Sequence, residues 1–142
     1  MKKKIYLLCG VFCLLLCACS ENGVSSYAPS NIAGKTMTIN GTSAGTLHIT
    51  FTSNNSAGIK GNDGKSVTFS SIRYSQSGAT SAAVYINGIY IDFGSSSATD
   101  NENLSLIFTS SSQGIVNGNY SRRWDDGSTM NGTIEYQSFT IF

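Results

Sequence analysis

Apolar side chains alternate with polar ones along most of the chain that follows residue 31. Segment 46–52 places Leu47, Ile49 and Phe51 on one face, and segment 103–109 repeats that arrangement. Such a period of two is typical of half-buried strands, and apolar residues at helical spacing are lacking here. Clusters of Gly, Asn and Ser interrupt the alternation roughly every ten residues, as in all-β proteins. The pattern predicts an all-β, antiparallel barrel of about eight or nine strands, or a sandwich.

The clearest local prediction is a hairpin with residues 87–88, Asn-Gly, at its tip. Asn-Gly between two alternating runs is the strongest short-range hairpin signal, because both residues tolerate the positive φ of a type I′ turn. In that register Tyr85 pairs with Tyr90 on the polar face, opposite an apolar face. Further turns are predicted at residues 62–64 and 126–127, where Asp-Gly dipeptides occur.

The sequence contains an internal echo. Residues 47–53 align with residues 104–110, and a Gly-Ile pair follows each copy after a polar loop. Two similar halves joined by the predicted hairpin indicate a two-fold duplication of the sheet. The alternative is that alternating Leu, Ile and Phe followed by Thr-Ser is simply a common strand pattern.

The first residues have the features of a secretory signal. A cationic head of three lysines precedes an apolar run over residues 5–16, which is short for a membrane span. The boundary at residues 16–19, Leu-Cys-Ala-Cys, resembles the lipobox of bacterial lipoprotein precursors, including small β-barrel lipoproteins of the Bacteroidetes type. This resemblance implies cleavage before Cys19 and acylation of that cysteine, with palmitate among the acyl chains. An uncleaved anchor and an ordinary signal peptide are the alternatives.

This reading divides the chain into a signal peptide (1–18), a lipidated cysteine with a flexible tether (19–31) and a single β domain (32–142). The resemblance implies a lipid anchor in the outer membrane, since Ser20 follows the cysteine. Glu21 alone is acidic nearby, so the periplasmic face and the cell surface both stay open. All four cysteines lie at or before residue 19, which leaves the domain without disulfides.

The opening of the domain provides a second resemblance. Residues 33–36, Ala-Gly-Lys-Thr, resemble the start of bacterial lipocalin-like barrels, without the tryptophan which that family carries after its glycine. The resemblance implies a lipocalin-like, or calycin-like, barrel.

The sequence offers little chemistry for an enzyme. The single histidine, His48, falls on the polar face of its strand, and no Gly-x-Ser-x-Gly elbow or phosphate-binding loop accompanies it. Residues 100–103, Asp-Asn-Glu-Asn, are interpreted as a solvated turn, although calcium favours such oxygens. Charged residues make up only 12% of the chain, too few for binding nucleic acid by phosphate neutralisation. We therefore predict a non-enzymatic protein without a metal or another cofactor.

Aromatic and charged side chains nevertheless concentrate in one segment. Trp, Tyr and Arg are over-represented at binding hot spots, and rigid aromatics beside Asp also suit sugar faces. The alternative is that Trp124 plugs one barrel end while Arg122 and Asp125 form an ordinary surface pair. The predicted function is binding of a small amphipathic ligand or glycan; the alternative is a protein-interaction lipoprotein, such as an inhibitor, immunity factor or structural component of the envelope. The candidate binding residues are Tyr120, Arg122, Arg123, Trp124, Asp125, Tyr85 and Tyr90.

Overall fold

The computed structural model describes residues 25–142, which form eight antiparallel strands in one nearly closed, barrel-shaped sheet. The predicted all-β architecture is confirmed, and the barrel replaces the sandwich alternative. The signal peptide, Cys19 and the first residues of the tether lie outside the described residues. Within residues 25–142, the structure has no helix of the length and apolar character that crossing a bilayer requires. The strands are β1 (Thr36–Thr42), β2 (Gly45–Ser53), β3 (Ser56–Gly61), β4 (Ser71–Gln76), β5 (Ser81–Asp92), β6 (Ser97–Phe108), β7 (Gln113–Trp124) and β8 (Thr129–Ile141).

The strand order is β3-β2-β1-β8-β7-β6-β5-β4, so the first and last strands pair and the seam falls between β3 and β4. Adjoining loops supply backbone hydrogen bonds on either side of this seam, since Val67 lies in the loop after β3 and Asn54 in the turn between β2 and β3. The Val67 amide donates to the Ile59 carbonyl at 2.9 Å, and the Tyr74 amide donates to the Asn54 carbonyl at 2.6 Å. Near-closure of this kind leaves few unpaired strand edges for association with other chains.

Side chains from all eight strands fill the barrel interior. The alternation read from the sequence is confirmed in β2 and β6. Leu47, Ile49 and Phe51 of β2 and Leu104, Leu106 and Phe108 of β6 are buried. His48 lies on the outer side of β2, where its ring forms a hydrogen bond with the Thr38 hydroxyl. The rings of Phe108 and Phe139 meet edge to face, with their centres 4.8 Å apart. Both phenylalanines are ladder partners of Gly114, which lies between them. The largest fully buried apolar residues are Phe51, Phe139, Ile32, Met37, Ile39, Leu47, Ile49, Ile86, Ile89, Leu104 and Leu106.

The barrel has two distinct ends. The end that contains residues 25–35 and the turns 53–56, 77–80 and 109–112 is called the proximal end. The opposite, distal end holds the turns after β1, β5 and β7 together with the loop between β3 and β4.

The predicted hairpin at residues 87–88 is wrong. Strand β5 runs straight through them, and both lie opposite Asn101 in a β-bulge, where Gly88 has a φ of 69°. A bulge adds one residue, so Ile86 and Ile89 still face inward, as they would across a two-residue turn. Tyr85 and Tyr90 consequently lie on one strand and do not pair.

The other turn predictions are confirmed. Residues 62–64 and 126–127 both connect consecutive strands, each with a glycine at positive φ. The internal echo matches β2 with β6 but fails in the strands that follow. Ile59 of β3 faces the core, whereas Ile115 of β7 faces outward and is 39% exposed.

The end of the predicted tether differs from expectation. Ala28 and Ile32 are buried in the core at the proximal end. The Tyr74 hydroxyl donates to the Pro29 carbonyl at 2.7 Å, and the Ile32 amide donates to the Asn54 side chain at 3.0 Å. Residues 27–31 therefore belong to the folded domain, which was predicted to begin at residue 32, because these hydrogen bonds and buried side chains hold them to the barrel.

Candidate functional site

Two carboxylates point into the barrel near its distal end. Asp100 and Glu102 alternate with outward residues of β6, and both are fully buried. The predicted solvated turn at residues 100–103 is therefore wrong. The alternation that places Leu104 inside continues two and four residues upstream, where it delivers acidic side chains to the interior.

Arg122 of β7 neutralises one of these carboxylates. It lies opposite Asp100 in the ladder, and its Nε and Nη2 atoms donate to the two carboxylate oxygens, each at 2.8 Å. The hydrogen bonds that Arg122 donates to Asp100 raise the pKa of its guanidinium above its ordinary range. The predicted surface pair between Arg122 and Asp125 is wrong, since Arg122 is directed inward, towards Asp100.

Three aromatic rings surround the same guanidinium. Its central carbon lies 5.3 Å from the ring centres of Phe93 and Trp124 and 5.6 Å from that of Tyr120. Phe93 and Trp124 also contact each other, with ring centres 5.1 Å apart. We call this arrangement the aromatic cage. Cation–π attraction is strongest where water is excluded, so the cage and Asp100 together fix the position of Trp124.

Glu102 occupies the deepest position of the polar cluster. Its Oε1 accepts hydrogen bonds from the Ser43 amide at 2.9 Å and from the Ser43 hydroxyl at 2.5 Å. Its Oε2 is buried without a hydrogen-bond partner among the described residues. Burial, aided by the nearby negative charge of Asp100, raises the pKa of Glu102, while the bonds from Ser43 oppose that shift.

An open depression of about 430 Å³ lies beside the cage, between the ends of β6 and β7. Trp124 reaches it from the cage, whereas Arg123 lies on the outer side of β7. Asp125 follows β7, and its carboxylate accepts a hydrogen bond from the Ser97 amide at 2.9 Å. The lining residues are Ser97, Ala98, Thr99, Arg123, Trp124, Asp125 and Gly127.

The predicted binding residues therefore separate into groups. Tyr120 and Arg122 belong to the cage, Trp124 to both the cage and the depression, and Arg123 and Asp125 to the depression.

The two predicted tyrosines of β5 lie outside that arrangement. Tyr90 is half-exposed on the outer face of β5 and pairs with Thr99, which lines the depression. Tyr85 lies farther along the same face, between Arg73 and Asn103, and does not reach the depression.

Sequence reasoning missed Asp100, Glu102, Ser43 and Phe93. Extending the alternation of β6 upstream would have placed the two acids inside the barrel. The sequence gives no comparable signal for Ser43 or Phe93, which lie in turns and reach the cluster only because the barrel closes.

The depression offers several kinds of ligand-binding group. The depression combines an aromatic ring, a guanidinium, a carboxylate and hydroxyl groups. Across residues 25–142, His, Cys, Asp and Glu side chains do not gather in groups of three that would suit a metal ion. No protein-family model, curated protein or solved structure matches this chain.

Proposed function

We propose that this protein is a non-enzymatic, lipid-anchored outer-membrane lipoprotein that binds a glycan in the distal depression. The observation that carries the proposal is the position of Trp124, which the cage holds at the edge of an open, polar depression. Sugars combine apolar faces with hydroxyl groups, so they match a rigid aromatic ring flanked by hydrogen-bonding side chains.

The packed interior favours a surface ligand over an enclosed one. Inward side chains of every strand contribute to the core, so an amphipathic ligand bound among them would displace well-packed groups. The depression needs no such rearrangement. Within the described chain the Arg123 guanidinium makes no hydrogen bond or ion pair, which leaves its donors available to a ligand.

The chain enters the barrel at the end opposite the depression, which is consistent with an anchored binding module. Residues 25–32 enter at the proximal end, whereas the depression lies at the distal end. A lipid on Cys19 would therefore hold the protein with its binding site directed away from the membrane. Two or more acyl chains suffice for stable anchoring.

Glycan binding can be tested by calorimetric titration with hexose and N-acetylhexosamine oligomers. The protein's single tryptophan gives a second readout, because a sugar on Trp124 should change its fluorescence. Arg123→Gln should weaken binding about tenfold through loss of a charged donor, without affecting the core. Tyr85→Ser, on the same outer surface but away from the depression, is the matched control. Saturable binding that neither Arg123→Gln nor Trp124→Ala weakens would contradict the proposed site.

The anchor is tested separately. Cells grown with a labelled fatty acid should incorporate label into the wild-type chain and not into Cys19→Ser. Label retained by Cys19→Ser, or lacking in both chains, would refute acylation at this residue.

One observation favours the second candidate function, binding of a protein partner. Tyr136 of β8 has a φ of 51° and is 82% exposed, within a bulge opposite Asn117. Non-glycine residues rarely adopt this backbone region, and such strain concentrates at functional positions. A partner recovered from envelope extracts by wild type and Trp124→Ala, but not by Tyr136→Ser, would favour this function over glycan binding.

A further inference from the structure

We propose that the proximal end of the barrel rests on the bilayer to which Cys19 is anchored, so that the lipid surface is its binding partner. This inference depends on the proposed acylation of Cys19. It adds a specific contact surface, which a lipid tether alone does not require.

Charged side chains are distributed unequally between the two ends. The proximal turns 53–56, 77–80 and 109–112 consist of uncharged residues, chiefly Ser, Thr and Asn. Among the residues that the structure describes at this end, Lys35 alone carries a charged side chain. The distal turns and the adjoining end of β5 contain four aspartates, namely Asp63, Asp92, Asp125 and Asp126, against one lysine, Lys65, which pairs with Asp63.

This asymmetry matches what a bilayer surface selects. Acidic side chains are repelled by anionic lipids, and desolvating a charge is costly. A cationic side chain such as Lys35 is instead attracted to lipid phosphates. Hydroxyl and amide side chains are tolerated in the hydrated headgroup region, so a Ser- and Asn-rich rim can approach it closely.

Apolar side chains project from the same end. Phe142 is 74% exposed at the rim, where its backbone pairs with Thr36. Ile107 and Ile115 are direct cross-strand partners on the outer wall and are 48% and 39% exposed. Tyr27 lies at the same end, where its amide donates to the Ala79 carbonyl, and its ring is 36% exposed. Aromatic rings of this kind favour the membrane interface.

The anchor keeps this surface close to the membrane. Five residues separate Cys19 from Ser25, where the described chain begins, so six Cα–Cα steps connect the two. Fully extended, they span about 20 Å, less than the length of the barrel. The distal end also exposes Phe93 and Met130, but these lie among acidic turns and face away from the anchor.

The test uses the full, acylated chain in vesicles of phosphatidylethanolamine and phosphatidylglycerol with brominated acyl chains, which quench tryptophan at close range. In the wild-type chain, the fluorescence comes from Trp124, so its quenching measures how close the distal end lies to the bilayer. Phe142→Trp, which keeps Trp124 and the cage intact, adds a reporter at the proximal end. We expect the added fluorescence to be reduced by about half or more, and that of Trp124 by about a tenth or less.

A pair of charge substitutions supplies the control. Ile115→Glu and Met130→Glu introduce the same charge at similarly exposed positions on opposite ends. In the Phe142→Trp chain, Ile115→Glu should relieve the quenching and Met130→Glu should not. Equal quenching of both tryptophans, or none in a chain shown to carry fatty acid, would overturn the membrane contact while the anchor stands. Failure of the labelling experiment would overturn the anchor and this inference together.

Discussion

Arg122 and Asp100 show how a barrel of this size accommodates charge in its interior. Each group satisfies the other through two hydrogen bonds, and three rings shield the pair from water. A buried pair of this kind contributes little net stability, but removing one partner leaves an uncompensated charge. The sequence showed the aromatic and basic residues together, yet it could not identify Asp100 as the partner, since 22 residues separate the two.

At the residue scale, Arg122→Lys should destabilise the protein by about 2 kcal/mol. Lysine keeps the charge but cannot make the two parallel bonds to Asp100 or stack against the rings. Urea denaturation provides the measurement, with the exposed neighbour Arg123→Lys as a control that should be nearly neutral. Equal stabilities of both variants would contradict the role assigned to the cage.

Glu102 should make stability depend on pH. Its pKa is raised above the ordinary value of 4.5, so its protonated form is favoured by folding. The stabilisation that the protonated side chain provides is fully present below pH 4.5 and is lost as the pH rises through the raised pKa. Glu102→Gln should therefore be more stable than wild type at pH 8 and equal to it in stability at pH 4. Denaturation at both pH values tests this, with exposed Glu135→Gln as control; a less stable Glu102→Gln at pH 8 would contradict it.

At the scale of elements, alternation predicted the strands well because each apolar face is buried locally. It failed at residues 87–88, where a two-residue turn and a bulge place the same side chains inside. Residues 40–41 are a second Asn-Gly pair that forms a bulge and not a hairpin turn, with a φ of 65° at Gly41. Whether the chain reverses there depends on the neighbouring strands, and local sequence does not contain that information.

Gly114 provides a test of packing between elements. A Cβ at this position would meet the Phe139 ring and the Ile107 carbonyl, because the two phenylalanines meet directly over the glycine. Gly114→Ala should therefore cost about 2 kcal/mol, measured by thermal or urea unfolding. Gly58→Ala in β3, where a Cβ meets nothing within 4 Å, is the matched control. A neutral Gly114→Ala would show that the core is looser than described.

For the whole molecule, the sequence predicted the class and strand number but not the closure. Pairing β1 with β8 and leaving the seam between β3 and β4 depends on contacts between residues far apart in the chain. Residues 27–31 were mispredicted as part of the tether for the same reason. Their polar, proline-containing sequence is typical of linkers, whereas the barrel end supplies partners for their backbone.

Ile32→Ala should reveal whether this segment is part of the cooperative fold. Ile32 is fully buried, so the variant should lose about 3 kcal/mol of unfolding free energy. Exposed Ser30→Ala, two residues away, should change it little. If residues up to 32 were a mobile linker, the two variants would behave alike.

The position of the seam has a consequence for how the gene could be rearranged. Thr36 and Phe142 exchange two backbone hydrogen bonds, and Ser25 is held at the same end by the residues that follow it. A peptide long enough to cross the proximal end could therefore join Phe142 to Ser25, while new termini are cut between Asp63 and Gly64. Such a circular permutant would keep every strand ladder, because the cut lies in the loop between β3 and β4, two strands that do not pair with each other. Its chain would run in spatial order from β4 to β3, as a simple meander.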